Sequence, residues 1–194
     1  SYTVTYTLGG CSPVDATALI DIMPAPSISV ADVTICDGEV ALLDAILSLN
    51  SPSQSGGMFL WSNGSITEDL NVSPSSTTVY DVTYTVGGCL PAIASATVTV
   101  NPLPTVTFSS NITEGCAPLN FVLTADLNSS LANSYTWSLS DGQIFNGNPV
   151  SVTFTNPGTY DVSLEIISNQ GCVNNLTNSS YIYVEEDPIA DFTV

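Results

Sequence analysis

Tyr2 to Cys11 reads YTVTYTLGGC and Tyr80 to Cys89 reads YDVTYTVGGC; eight of the ten positions are identical, at an offset of 78. In the first copy Tyr2, Val4, Tyr6 and Leu8 alternate with Thr3, Thr5 and Thr7. A period of two in threonine, valine and tyrosine predicts a half-buried β-strand, and the Gly-Gly that follows predicts a tight turn. The offset persists beyond the cysteine, pairing Pro13 with Pro91, Ile20 with Val98, Ile22 with Val100, Pro24 with Pro102 and Pro26 with Pro104. A weaker third copy begins at Tyr160-Asp-Val-Ser-Leu-Glu-Ile and again leads to a Gly-Cys pair, Gly171-Cys172. Val184 to Phe192 (VEEDPIADF) then lies over Val100 to Phe108 (VNPLPTVTF).

Internal repetition outranks local motifs because it sets the domain plan. Residues 1–26 read as the C-terminal strands of a truncated module, 27–103 as a complete module, 104–187 as a third, and 188–194 as the first strand of the next. The joints MPAPS and NPLPT are spaced by proline, which fixes φ and removes a donor, so they read as short extended connectors. Phe59 and Trp61 share one strand face before the turn signal Asn63-Gly64, and Tyr135 and Trp137 do so before Asp141-Gly142. Ala41 to Leu49 (ALLDAILSL) also fits a helix, but its place in the repeat favours strand and loop. The fold class expected is all-β: tandem immunoglobulin-like β-sandwich modules, each of about seven strands.

The chain has no lysine, arginine or histidine and 18 acidic residues, for a formal charge of -18. No side chain can offset an acid, so side-chain salt bridges are excluded and a nucleic-acid or anionic-membrane partner is disfavoured. Disorder is not implied, since valine, threonine, isoleucine and tyrosine are abundant. The first residue is not Met and no signal peptide or long apolar run is seen, so the sequence is expected to be cut from a longer polypeptide.

Cysteines stand at 11, 36, 89, 116 and 172 without Cys-x-x-Cys spacing. Wide spacing in a β-rich chain suggests disulfides and an oxidising compartment. Repeat positions predict one bond within each complete module, Cys36–Cys89 and Cys116–Cys172, with the partner of Cys11 upstream. Each would close a loop contributing roughly 4 kcal/mol. Five free thiols, or a bridge between modules, are the competing arrangements.

Tyr135-Thr-Trp-Ser-Leu-Ser-Asp-Gly followed by Asn156-Pro-Gly-Thr-Tyr-Asp-Val-Ser-Leu-Glu-Ile resembles a PKD domain, whose pattern runs Trp-x-Phe-Gly-Asp-Gly, then Pro-Gly-x-Tyr-x-Val-x-Leu. Trp137, Asp141, Gly142, Pro157, Gly158, Tyr160, Val162 and Leu164 fall on that motif; Leu139 and Ser140 depart from it. Cys36-Asp-Gly, Trp61-Ser-Asn-Gly, the run Val72 to Tyr80 and Val98 to Pro104 resemble the Ig-like repeats of Bacteroidota surface proteins. Chains so built resemble the large adhesins exported by type IX secretion, the gliding-motility adhesin among them. The resemblance implies a bacterial cell-surface location.

Trp61 and Trp137 are expected as core anchors, with Tyr80 and Tyr160 packed near sheet edges and their hydroxyls bonded to backbone. Asp15, Asp21, Asp32 and Asp37 lie near the first joint. Glu185, Glu186, Asp187 and Asp191 crowd the last, where calcium is the one cofactor for which hard oxygen ligands are at hand. No Asp-x-Asp-x-Asp-Gly loop exists, and a solvated acidic surface is the simpler reading. No constellation of catalytic residues stands out. The expected role is a non-catalytic stalk segment of a filamentous cell-surface adhesin, touching its neighbouring modules. The alternatives are a polysaccharide- or surface-binding module, and an accessory array on a secreted enzyme.

Overall fold

The computed structural model describes residues 1–18, 25–50, 55–126 and 132–188. The chain divides into two compact units, 1–34 with 40–99 and 35–39 with 100–194. Among the described residues every regular element is a β-strand.

The first unit opens with β1 (Tyr2–Tyr6) and β2 (Val14–Ala18), antiparallel from Tyr2 opposite Ala18 to Tyr6 opposite Val14. Both are exposed at every residue. Next come β3 (Ser27–Val30), β4 (Val33–Cys36), β5 (Ala41–Leu43), β6 (Ala45–Ser48), β7 (Met58–Trp61), β8 (Leu70–Val72), β9 (Thr78–Thr85) and β10 (Ala92–Asn101). Strands β4, β10, β9 and β7 form one sheet in that order, while β3 pairs with β6 and β5 with β8. The segment that also fits a helix is thus two short strands, β5 and β6. Ala41, Leu43 and Ala45 are buried at a period of two, which a helix could not arrange. Leu43, Trp61, Val82, Tyr84, Ala96 and Val98 fill the core.

The second unit contains β11 (Phe108–Ser110), β12 (Glu114–Cys116), β13 (Leu119–Ala125), β14 (Ala132–Leu139), β15 (Ile144–Asn146), β16 (Val150–Phe154), β17 (Gly158–Ser168) and β18 (Val173–Glu185). A three-stranded sheet, β11-β13-β16, accompanies a five-stranded one, β12-β18-β17-β14-β15. Alternate residues of both sheets meet in one apolar cluster that includes Phe121, Leu123, Trp137, Phe154, Leu164, Ile166 and Ile182. This is the sandwich arrangement that period-two strands demand, since each sheet has one apolar face to hide. Edge-to-face contacts of Phe108 with Trp137 and Tyr181, at 5.4 and 5.2 Å, knit its centre.

One turn recurs in both units. In Trp61-Ser62-Asn63-Gly64-Ser65, the N–H of Gly64 donates to Trp61 O at 2.8 Å and the N–H of Ser65 to Asn63 Oδ1 at 3.1 Å. In Leu139-Ser140-Asp141-Gly142-Gln143 the same bonds run from Gly142 to Leu139 at 3.0 Å and from Gln143 to Asp141 Oδ1 at 3.1 Å. Each serine hydroxyl accepts from the N–H of an aspartate on the adjoining strand, Ser62 from Asp81 and Ser140 from Asp161. Strand register agrees: Trp61 faces Val82 as Leu139 faces Val162. Trp61 is therefore the counterpart of Leu139, and Phe59 that of Trp137. The two tryptophans are not equivalent, although each ends beside a similar turn.

Candidate functional site

The most distinctive chemistry in the chain is a cystine, and it joins Cys36 to Cys172 across a sequence separation of 136. Cys36 ends β4 and enters the turn Cys36-Asp37-Gly38-Glu39. Gly38 sits at φ +88°, a conformation that costs a residue with a Cβ. The N–H of Glu39 donates to Cys36 O at 3.0 Å, and the Glu39 carboxylate accepts from the Cys36 N–H at 2.8 Å. Asp37 N–H donates to the carbonyl of Asn101 at 2.9 Å, fixing this turn against the last residue of β10.

Cys172 lies in the hairpin between β17 and β18. Gly171 N–H donates to Ser168 O at 2.9 Å, Ser168 N–H donates to Cys172 O at 2.8 Å, and Gly171 adopts φ +85°. A type I turn closed by a left-handed glycine bulge gives this pattern. Cys172 is wholly buried, and the Asn101 carbonyl lies 3.9 Å from its sulfur. Asn174 Nδ2 donates to Pro104 O at 2.8 Å beside it. A hollow of about 350 Å³, lined by the Cys36–Glu39 turn, Leu103, Gly171 and Val173, adjoins the bond. Both sulfurs belong to the second compact unit, because residues 35–39 are counted there.

The bonds expected within each repeat, Cys36–Cys89 and Cys116–Cys172, are corrected by this pairing: Cys11, Cys89 and Cys116 are free thiols. Strand length supplies the reason. Cys116 stands opposite Glu185 at the end of β18, whereas Cys172 precedes its first residue, Val173. Some twelve extended residues separate those positions by roughly 40 Å. A cystine needs Cα atoms within about 4.4–6.8 Å. Likewise Cys36 sits beside the Asn101 end of β10, while Cys89 belongs to the turn before its Ala92 end, about 30 Å away along the strand. Repeat positions identify equivalent cysteines but not the end of the strand at which each one lies.

Trp61 and Trp137 are buried, each with its indole N–H donating to a carbonyl at 2.9 Å, of Thr67 and Gly147 respectively. Tyr160 is half-buried, stacked on Phe154 at 3.7 Å, and its hydroxyl donates to Asn156 O at 2.8 Å. Tyr80 is half-buried as well. Sequence reading missed Tyr84, which is almost fully buried and whose hydroxyl accepts from the Gly57 N–H at 2.9 Å. A Cβ on Gly57 would collide with the Tyr84 ring and Thr85 O. The signal was the same alternation that carries Val82 and Tyr80, two and four residues earlier on β9.

Several acids serve the backbone. Asp32 Oδ1 accepts from Thr97 N–H at 2.7 Å, and Asp161 Oδ1 accepts from Ser180 N–H at 2.7 Å, where Ser180 holds φ +53°. Glu185, Glu186 and Asp187 are exposed, and Asp191, like Asp21, lies outside the described residues. Among the described residues no three acidic or cysteine side chains converge closely enough to hold a metal ion.

A PKD domain family model matches residues 99–184. No curated protein matches the chain. The N-terminal eight Ig domains of Down Syndrome Cell Adhesion Molecule align over 90% of this chain and 26% of that one, with 13% identity and a TM-score of 0.59. Sidekick-1 immunoglobulin domains 1–4 align over 84% of this chain and 49% of theirs, at 15% identity and TM-score 0.43. The PKD1 domain of the Vibrio cholerae metalloprotease PrtV aligns over 43% of this chain and 98% of its own, at 21% identity and TM-score 0.36. The chain thus spans about half of the Sidekick-1 chain and a quarter of the adhesion-molecule chain. These likenesses bear on fold alone. The chain is built of tandem Ig-like and PKD-like β-sandwich modules, a kind of domain typical of extracellular and cell-surface proteins and typically non-catalytic.

Proposed function

We propose that this chain is a non-catalytic stalk segment of a long filamentous adhesin on a bacterial cell surface, of the Bacteroidota type exported by type IX secretion and used in attachment or gliding. The lineage, the export route and the bacterial surface rest on the sequence resemblance. The mechanical role rests on the Cys36–Cys172 cystine. Tension entering at the two ends of the chain passes through that bond, and residues 37–171 lie inside the closed loop, sheltered from the load.

Single-molecule stretching tests the mechanical role. With the bond intact, residues 1–36 and 172–194 can extend to about 21 nm, whereas the reduced chain can extend to about 70 nm. Equal extension in both states would remove the load-bearing role. Binding of a polysaccharide by the module itself is the reading to be separated from it. Saturable binding of the soluble chain on a glycan array would replace the stalk by a binding module.

A further inference from the structure

The five cysteines fall into two structural classes, and only one member of each class is bonded within the chain. Cys11, Cys89 and Cys172 each follow a glycine at positive φ, Gly10 at +84°, Gly88 at +80° and Gly171 at +85°. Each lies between two antiparallel strands, β1 and β2, β9 and β10, or β17 and β18. These are turn cysteines. Cys36 and Cys116 instead end short strands beside β10 and β18. The residue after each donates its N–H to the carbonyl of the last residue of that long strand, Asp37 to Asn101 at 2.9 Å and Ala117 to Glu185 at 3.0 Å. These are edge cysteines. The observed bond joins an edge cysteine to the turn cysteine of the next repeat along the sequence.

We propose that Cys116 is the edge half of a second such cystine, whose other half is a glycine-preceded turn cysteine in another module of this kind. Cys89 and Cys11 are the turn halves of bonds to edge cysteines elsewhere. Cys116 is exposed, it holds the backbone position that Cys36 holds, and the turn cysteine of its own unit is already taken. Self-contained pairing is closed to it by the length of β18. The partner module is carried by the same polypeptide or by a second copy.

The chemistry is thiol–disulfide exchange. Two thiols lose two protons and two electrons to the disulfide of an extracytoplasmic oxidoreductase or of oxidised glutathione, which leaves as two thiols while one S–S bond forms. The mechanical consequence goes beyond the stalk reading and does not depend on which surface the protein serves. The Cys36–Cys172 loop overlaps a bond that starts at Cys116 and one that ends at Cys89. In a linear array with such overlaps, every cut through the backbone is also crossed by a cystine. No single peptide segment then carries the tension alone.

The test is disulfide mapping of the natural polypeptide, collected from its cell surface without reductant and alkylated at once. Pepsin digestion at low pH suits it, since the chain offers trypsin no lysine or arginine and acid halts exchange. The expected result is loss of alkylation at Cys116, Cys89 and Cys11. Cys116 should appear in a cross-linked peptide with a glycine-preceded cysteine other than Cys172, and Cys36 should remain on Cys172. Migration as a monomer on a non-reducing gel assigns the partner to the same polypeptide; a reducible dimer or ladder assigns it to a second copy. Cys116 alkylated as a free thiol, or bonded to Cys172, to another Cys116 or, in a monomer, to Cys89, overturns the proposal. A lost Cys36–Cys172 bond would instead strike at the load-bearing role, so the two failures are distinguishable.

Discussion

Replacing Cys36 by serine opens the Cys36–Cys172 cystine and leaves the fully buried Cys172 sulfur in place, which makes it the cleaner of the two half-site substitutions. If the whole chain unfolds, the crosslink closes a loop of 136 residues, which the chain-entropy relation converts to about 5 kcal/mol. If strands β11 to β18 unfold while Asp37 stays bonded to Asn101, the effective loop runs from 101 to 172. That loop of 71 residues (172 minus 101) gives about 4.4 kcal/mol. The two routes differ by little, so the loss is about 4–5 kcal/mol on either. For a unit of this size, 1 kcal/mol moves the melting temperature by roughly 4–8 °C, so a fall on the order of 20 °C is expected. Scanning calorimetry without reductant should show that fall in Cys36→Ser, and reductant should bring the unmodified chain to the same temperature. Cys89→Ser and Cys116→Ser should melt as the unmodified chain does. The reasoning is refuted if Cys36→Ser melts within about 2 °C of the parent, or if either silent substitution causes the larger loss.

Other expectations concern the cores and the acidic run. Gly57→Ala forces a methyl into the Tyr84 ring and Thr85 O and should lower the stability of the first unit by about 1–3 kcal/mol in urea titration; a neutral result would show that β7 and β9 can part there. Tyr160→Phe removes the donor to Asn156 O while keeping the stack on Phe154, for a loss of about 1 kcal/mol by the same method. Calcium should raise the melting temperature no more than magnesium at equal ionic strength, since Glu185, Glu186 and Asp187 are exposed at a strand end. A calcium-specific rise that vanishes in Glu186→Gln would instead place an ion there.

The architecture was legible because period-two patterns survive repetition. Tyr2 to Leu8 and Tyr80 to Val86 alternate so regularly that a strand is the one element able to use them. The helix-compatible run at Ala41 shows the limit of composition, since leucine and alanine favour helix locally while burial at every second residue decided for strand. The tryptophans were recognisable as large apolar residues before turns. Their register was not, because a two-residue shift along a strand keeps the same face toward the core. Tyr84 escaped notice because its role depends on Gly57, 27 residues away, which only tertiary structure brings under the ring. The cystine was the largest loss. Sequence equivalence placed Cys36 with Cys116 and Cys89 with Cys172. Pairing follows from three-dimensional proximity, and a strand of ten or thirteen residues keeps members of one repeat far apart.

The central structural claim is tested most directly by counting thiols in the purified 194-residue chain, unfolded in guanidinium without reductant. The Cys36–Cys172 arrangement predicts three reactive thiols per chain, at Cys11, Cys89 and Cys116. A count of five would mean that no bond had formed, and the edge-to-turn crosslink with the mechanical role built on it would have to be given up.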